Sequence, residues 1–354
     1  MRVAIDISPT KTGHGVRGIG TYTQNLVNEF KKGKWQDINF EFFANSASPP
    51  PVDTIHYPYF DFFFHTLPIL NKSGRVVVTI HDVVPLIFPD HFPRGIKGNF
   101  NFFLQKLALK NIDAVICVSK TSKNDVVKKL AFPKDKIHVV YSAPGHNFKK
   151  ISNHHKLSIT AKKYKLPPKF VLYVGDVNWN KNIPNLLEAV KLSGSNLVMV
   201  GKSLTDTTLA QVKEIEFKIE KLGIKNKVIR TGFVPEADLV AIYNLASATL
   251  LPSFYEGFGL SVLESMACGT PVICSNLASL AEIGKDTAIF CQPENVADIA
   301  DKISKLAKLN GQAKEKLSAK LIDHVAQFTW SKTAKETLDV YKKISNEIIY
   351  GPIC

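Results

Sequence analysis

Short β-branched runs alternate with helical patterns along the whole chain. In the first half RVAIDI, INFEFFA, TIHYP, RVVVTIHD, AVICVS and IHVVYS read as strands. In the second half KFVLYVGD, NLVMVG, KVIRTGF, ATLLPS and PVICSN do the same. Between them lie amphipathic patterns of helical period: YTQNLVNEFKK, FFLQKLALKN, SKNDVVKKLA, IPNLLEAVK, TLAQVKEIEFKIEKLG and ADLVAIYNLA. Near-continuous apolar strands separated by helices predict parallel sheets covered on both faces. A chain of 354 residues is too long for one ordinary core and suits two. The expectation is therefore an α/β protein with two doubly wound, Rossmann-like domains, at residues 1–150 and 168–330. A polar, basic, Pro-punctuated stretch at 151–167 reads as the linker, and residues 331–354 form a closing segment. In open α/β sheets ligands sit beyond the carboxyl ends of the strands, so a cleft faced by both domains is the expected site.

Composition narrows the class. Apolar residues make up 45% and charged residues 21%, as in globular rather than disordered chains. No apolar run reaches the roughly 18–20 residues needed to span a bilayer. MRVAIDIS reads as a buried strand rather than a signal peptide, because Asp6 interrupts it and no cleavage pattern follows. Five cysteines (Cys117, Cys268, Cys274, Cys291, Cys354) are scattered without a CxxC pair, so buried free thiols are expected, without zinc or a disulfide frame. The net charge of +14 is unevenly placed. Residues 1–168 carry 24 basic and 11 acidic side chains, residues 169–354 carry 21 and 20. A basic first half fits an anionic membrane, a phosphorylated substrate or a solvated lysine-rich surface. Nucleic acid is not an expected partner, since no recognised motif accompanies the charge.

The densest chemistry lies in SFYEGFGLSVLESMACGTPVI, residues 253–273. ATLLPS ends a strand, FYEGFG is a loop, and LSVLESMA is a short helix that Gly269 stops before Pro271 opens the next strand. Gly257 and Gly259 thus precede a helix N-terminus, where unsatisfied N–H groups and the dipole favour a phosphate. Glu256 stands just ahead of that point. Glu264 lies about one turn into the helix, where a buried carboxylate needs hydroxyl or cationic partners. A ribose diol is such a partner. The pattern predicts a nucleoside diphosphate over Gly257–Leu260, its ribose on Glu264, and a sugar near Glu256.

This stretch resembles the Glu-x7-Glu signature of the retaining GT-B glycosyltransferases called glycosyl transferases group 1, family four. Further segments resemble the same family: LYVGDVNWNKNIPNLLEAV, RTGFVPEADLVAIYNLASATLLPSFYEGFG, VVVTIHDVVPLIFPDHF, GVRGIGTYTQNLV and FTWSKTAKETLDVYKKI. The resemblance implies a GT-B fold with an acceptor-binding first domain, a donor-binding second domain and a last helix crossing back. It implies that His81 faces the donor sugar and that Lys181 neutralises the donor diphosphate. Gly175, Val234, Gly257, Phe258, Gly259, Leu260 and Glu264 would contact the donor, Val234 through its backbone to the base. Gly18 and Gly20 would lie in a loop lining the cleft near sugar and acceptor. Thr23 stands where a dinucleotide GxGxxG would need its third glycine. The chain departs from the family pattern at Asp176 and Asn180, where many relatives carry an arginine. Either Lys181 then acts with the Gly257–Leu260 amides alone, or Lys202 or Arg230 substitutes.

No DxD occurs, which fits transfer without a metal or other cofactor, the helix dipole and Lys181 standing where a divalent ion would. The expected activity is hexosyl transfer with retention, with Glu256, His81 and Lys181 at the reaction centre. GDP-mannose leads as donor, with UDP-glucose or UDP-N-acetylglucosamine as the alternative. The acceptor would be a glycan or a lipid-linked hydroxyl in polysaccharide biosynthesis, at a cytoplasmic, peripheral membrane location. A catalytically weak sugar-nucleotide-binding homologue and a phosphorylase on the same plan are the rival readings. FNFFLQKLALKN could be an amphipathic helix with Lys106 and Lys110 on its polar face, or its phenylalanines could be core.

Overall fold

The computed structural model describes residues 1–346 apart from 12–14, 16–17, 45–49 and 70–73. The chain divides into two compact units, Met1–Ala143 with Phe328–Cys354, and Pro144–Gln327. In the first unit lie β1 (Arg2–Asp6), α1 (Ser8–Lys11), α2 (Gly18–Lys32), β2 (Asn39–Phe43), β3 (Thr54–Tyr57), β4 (Arg75–Ile80), α3 (Val84–Ile87), α4 (Gly95–Leu109), β5 (Ala114–Cys117), α5 (Lys120–Leu130) and β6 (Ile137–Val139). Its six strands run parallel in the order β2-β1-β3-β4-β5-β6.

The second unit holds α6 (His154–Lys163), β7 (Val171–Val174), α7 (Ile183–Ser193), β8 (Leu197–Val200), α8 (Ala210–Leu222), β9 (Val228–Gly232), α9 (Glu236–Leu245), β10 (Ala248–Leu251), α10 (Leu260–Ala267), β11 (Val272–Ser275), α11 (Ala278–Gly284), β12 (Ile289–Cys291), α12 (Val296–Ala307) and α13 (Gly311–Val325). Its strands are again parallel, in the order β12-β11-β10-β7-β8-β9. The chain then returns to the first unit with α14 (Trp330–Asn346).

The central strands owe their place to composition: β3, β5, β8, β10 and β11 are buried along their whole length. Apolar side chains on both faces need a helix layer on each side, and parallel pairing supplies it through the crossovers. A deep polar chain runs through the first core. Tyr341 Oη of α14 lies 2.6 Å from His56 Nδ1, and His56 Nε2 lies 2.8 Å from Thr79 Oγ1. Both histidine nitrogens are thereby satisfied without charge, and burial drives the ring's pKa down to about 3.

Three expectations need correction. The stretch 151–167 is not a bare linker: it contains α6, capped by Asn153 and tied to α9 where Lys163 and Tyr164 both reach Asp238. Its polarity reflects a helix with a wide solvated face. Gly18 and Gly20 are not loop residues but the first turn of α2, with Gly20 buried. The stretch 284–330, without strand or helix expectations, contains β12, α12 and α13. Cys117, Cys268, Cys274 and Cys291 are free and buried; Cys354 lies outside the described residues, as does the end of the closing segment.

Candidate functional site

In the second unit the strand order reverses between β7 and β10, which are neighbours although two strands and three α-helices separate them in sequence. Such a switch point at the carboxyl edge is the place where doubly wound sheets bind ligands. The loop after β7 brings Gly175 to Lys181; the loop after β10 brings Pro252 to Gly259.

The two loops are fastened to each other. Asn180 donates from Nδ2 to the Tyr255 carbonyl at 2.8 Å, and its own carbonyl accepts from the Phe254 amide at 2.8 Å. Asn182, in left-handed backbone with φ 55°, donates to the carbonyls of Pro252 and Pro293 at 3.0 and 2.7 Å. Trp179 stacks on Phe254 with centroids 4.9 Å apart. This frame sets Lys181 Nζ 2.7 and 2.8 Å from the two carboxylate oxygens of Glu256. Ser253 Oγ donates to Glu256 Oε1 at 2.7 Å. Ser279 Oγ lies 2.7 Å from the Glu256 carbonyl and 3.0 Å from that of Phe258. Glu256 is thus held at its backbone and at its side chain.

Gly259 ends the loop with φ 105°, and a Cβ there would lie 2.6 Å from Leu280 Cδ2. Glycine is therefore demanded twice, by conformation and by space. It starts α10, which carries Glu264 one turn in. Glu264 is buried, and Tyr243 of α9 donates its hydroxyl to Oε2 at 2.9 Å. Burial lifts the Glu264 pKa to about 7, against the lowering effect of the Tyr243 hydroxyl; Glu236 adds to the rise. At the same edge Gly232 ends β9 with φ 69°, followed by exposed Phe233 and buried Val234. Arg230 is turned to Glu216 at 2.7 Å and to the Leu204 carbonyl. Asp176 accepts from Ser203 Oγ at 3.0 Å. No group of three His, Cys, Asp or Glu side chains able to hold a metal gathers among the described residues.

The structure therefore brings together Gly175, Lys181, Val234, Glu256, Gly257, Phe258, Gly259, Leu260 and Glu264 on one sheet edge of one unit. His81, Gly18 and Gly20 belong to the other unit. His81 follows β4, as expected for a strand-end residue. Its Nε2 donates to the Pro58 carbonyl at 3.0 Å, and its ring meets Tyr22 of α2 edge-on at 4.8 Å. Burial lowers its pKa to about 4, so the ring is neutral at pH 7 with Nδ1 as acceptor.

Sequence reasoning missed Tyr243, Asn180 in its framing role, and the two serines on Glu256. It also missed Asp6, a buried carboxylate at the end of β1 held by the Ser8 amide and hydroxyl, its pKa raised by burial. Only Asp6 left a signal, as the single charge closing an apolar strand.

A lysine, a loop glutamate and a helix-borne glutamate at the switch point of a doubly wound sheet, in a chain with two such sheets, define the GT-B class of α/β proteins. The family model described as glycosyl transferases group 1 matches residues 158–327, and that described as glycosyltransferase family 4 matches residues 50–143. The chain is 28% identical to the O-antigen chain mannosyltransferase B of Escherichia coli over 80% of its length and 75% of that protein's. It is 29% identical to the serotype-specific mannosyltransferase WbdA of E. coli over 80% of its length, but spans only 35% of that larger protein. Among solved structures, Anabaena Alr3699/HepE in complex with UDP and glucose superimposes with a TM-score of 0.74 over 97% of this chain and 99% of that one. At 17% identity that likeness concerns the fold. The chain belongs to the group 1 glycosyltransferases.

Proposed function

We propose that this glycosyltransferase moves a mannosyl group from GDP-mannose, with retention and without a metal, to a hydroxyl of a glycan or lipid-linked acceptor. The observation that carries the reading is the bidentate contact of Lys181 with Glu256 directly ahead of α10, with Glu264 on the same helix. In the proposed complex the diphosphate lies over the first amides of α10, and Lys181 shares its charge between Glu256 and the departing phosphate. A preplaced cation of this kind stabilises charge that develops only in the transition state. Glu264, held by Tyr243, takes the ribose diol, and Glu256 takes sugar hydroxyls. Retention follows from a same-face displacement in which the departing phosphate receives the acceptor proton; the C1–O bond to phosphate breaks as the bond to the acceptor oxygen forms. A neutral His81 accepts a sugar hydroxyl at Nδ1.

Mannose is favoured because both named relatives are mannosyltransferases. UDP-glucose is the second reading, from the UDP and glucose bound by the Anabaena protein. The test is a thermal-shift panel of UDP, GDP, ADP, TDP and their sugars, with and without EDTA. A shift selective for GDP and GDP-mannose, unchanged by EDTA and lost in Glu264→Ala, is expected. A UDP-selective shift overturns the donor, a shift abolished by EDTA overturns the metal-free mechanism, and no shift at all favours a catalytically weak homologue.

A further inference from the structure

Ser279 belongs to α11, beyond β11, yet its side chain reaches back to the loop before α10. It is buried, and its hydroxyl stands 2.7 Å from the Glu256 carbonyl and 3.0 Å from the Phe258 carbonyl. One hydroxyl proton shared between two acceptors makes a three-centre bond. Ala278, just before it, has φ 50°, a left-handed backbone that a side chain adopts only against strain. Strain of this kind persists where the surroundings over-determine it, and it gathers at working sites.

Two fixed carbonyls mean two fixed peptide planes. A trans peptide points its C=O and its N–H in opposite directions, and no cis bond occurs among the described residues. The Glu256 carbonyl shares its plane with the Gly257 amide, and the Phe258 carbonyl shares its plane with the Gly259 amide. Both carbonyls turn to Ser279, so both amides turn to the side opposite it. Gly259 is buried, and its amide has no hydrogen-bond partner among the described residues. A buried N–H without a partner is uncommon and points to a ligand acceptor. We propose that Ser279 is a positioning residue for transfer, holding the 256–257 and 258–259 peptides so that their N–H groups face the leaving diphosphate. The inference rests on the donor reading given above. Without this hydroxyl the two carbonyls lose their shared donor, and both planes can rotate. Donors stabilise developing phosphate charge best when they are already in place, so the loss falls on the diphosphate rather than on base or ribose.

The experiment is calorimetric titration of the full chain with GDP and UDP, and with guanosine and uridine. The parent is compared with Ser279→Ala, Ser279→Thr and Ser279→Val. Ser279→Ala should lose at least about tenfold in diphosphate affinity, the scale of a lost hydrogen bond to a charged group, with nucleoside affinity unchanged. Threonine and valine have the same shape, so the difference between those two variants reports the hydroxyl alone. Ser279→Thr should bind the diphosphate at least about tenfold more tightly than Ser279→Val. A serine that merely supports the fold would weaken nucleoside and diphosphate alike. Equal losses for the two ligands, or equal diphosphate affinities in Ser279→Thr and Ser279→Val, overturn the proposal and leave the donor reading standing. A parent that binds neither diphosphate overturns both.

Discussion

At the scale of single residues the second unit turns on three charges. Lys181 and Glu256 stabilise each other with little solvent between them, at 19% and 10% side-chain exposure. Removing one partner of such a pair leaves a poorly solvated charge. Lys181→Met should therefore lower stability by about 3 kcal/mol as well as cut turnover by roughly 10²–10³-fold. Adding Glu256→Gln should recover the melting temperature but not the turnover. Chemical denaturation beside a transfer assay separates the two effects, and recovery of turnover in the double variant would contradict the proposed role of Lys181.

Glu264 makes a prediction of opposite kind. Its folded pKa of about 7 stands above the ordinary 4.5, so the folded state holds a proton that the unfolded state has released. Stability contributed by this proton is complete below pH 4.5 and is lost as pH rises through about 7, roughly 3 kcal/mol in all. Glu264→Gln should abolish that loss, read as a flatter pH profile of unfolding between pH 5 and 8. If the ionised form accepts the ribose hydroxyls, diphosphate affinity falls as pH drops below about 7, by roughly tenfold per unit. Calorimetric titration at pH 6 and 8 measures it, and a flat affinity would remove Glu264 from the diol.

At the scale of elements, α10 depends on how it begins. Gly259→Ala places a methyl group in left-handed backbone and against Leu280. A loss of about 2–3 kcal/mol is expected from strain and overpacking together. Nucleotide affinity should fall with it, because the first amides of α10 move. The Leu280→Ala background relieves the clash but not the backbone strain, so partial recovery of the melting temperature is the expected result.

α10 was also legible in advance. LSVLESMA is apolar at helical spacing, bounded by glycines and followed by Pro271, and its limits coincide with Leu260–Ala267. The inner strands were legible because a parallel strand buried on both faces leaves a short continuous apolar run, and the edge strands β2 and β9 through their aromatic and β-branched residues. Among the elements that escaped, α12 is amphipathic, with Ile299, Ala300, Ile303 and Leu306 buried at helical spacing, whereas three others lack an apolar signal. α6 and α13 are short of apolar residues because a wide face of each is solvated. β12 is three residues long, too brief for any period to show.

At the scale of the whole molecule the two units carry opposite acid responses. In the first, buried His56 and half-buried His81 are neutral, with pKa values near 3 and 4 against an ordinary 6.5. The unfolded state binds protons that these rings refuse, so stability is lost as pH falls below 6.5, by about 2 kcal/mol per ring at pH 5. Asp6, whose carboxyl is raised by burial, tempers this. In the second unit Glu264 gains stability over the same range. Hydrogen exchange at pH 5 and 7.5 should show protection falling in β3, β4 and α14 while α10 holds or gains. Uniform loss in both units would contradict this account.

The sequence by itself determined the alternation of strand and helix, the parallel character of both sheets, and the placing of Lys181, Glu256 and Glu264 on loops or helix starts at strand ends. Each is a matter of local period, caps and glycine, which act within a few residues. The tertiary structure alone decided that Lys181 grips Glu256, that Tyr243 holds Glu264, that Tyr341 closes on His56, and that Phe102 turns toward the core while Phe100 and Phe103 face outward. Those partners are brought together from distant parts of the chain by crossovers, or share one helix that carries Phe100, Phe102 and Phe103 within one turn. Period alone could not say which aromatic stripe would find the core, because that depends on what the rest of the sheet presents to it.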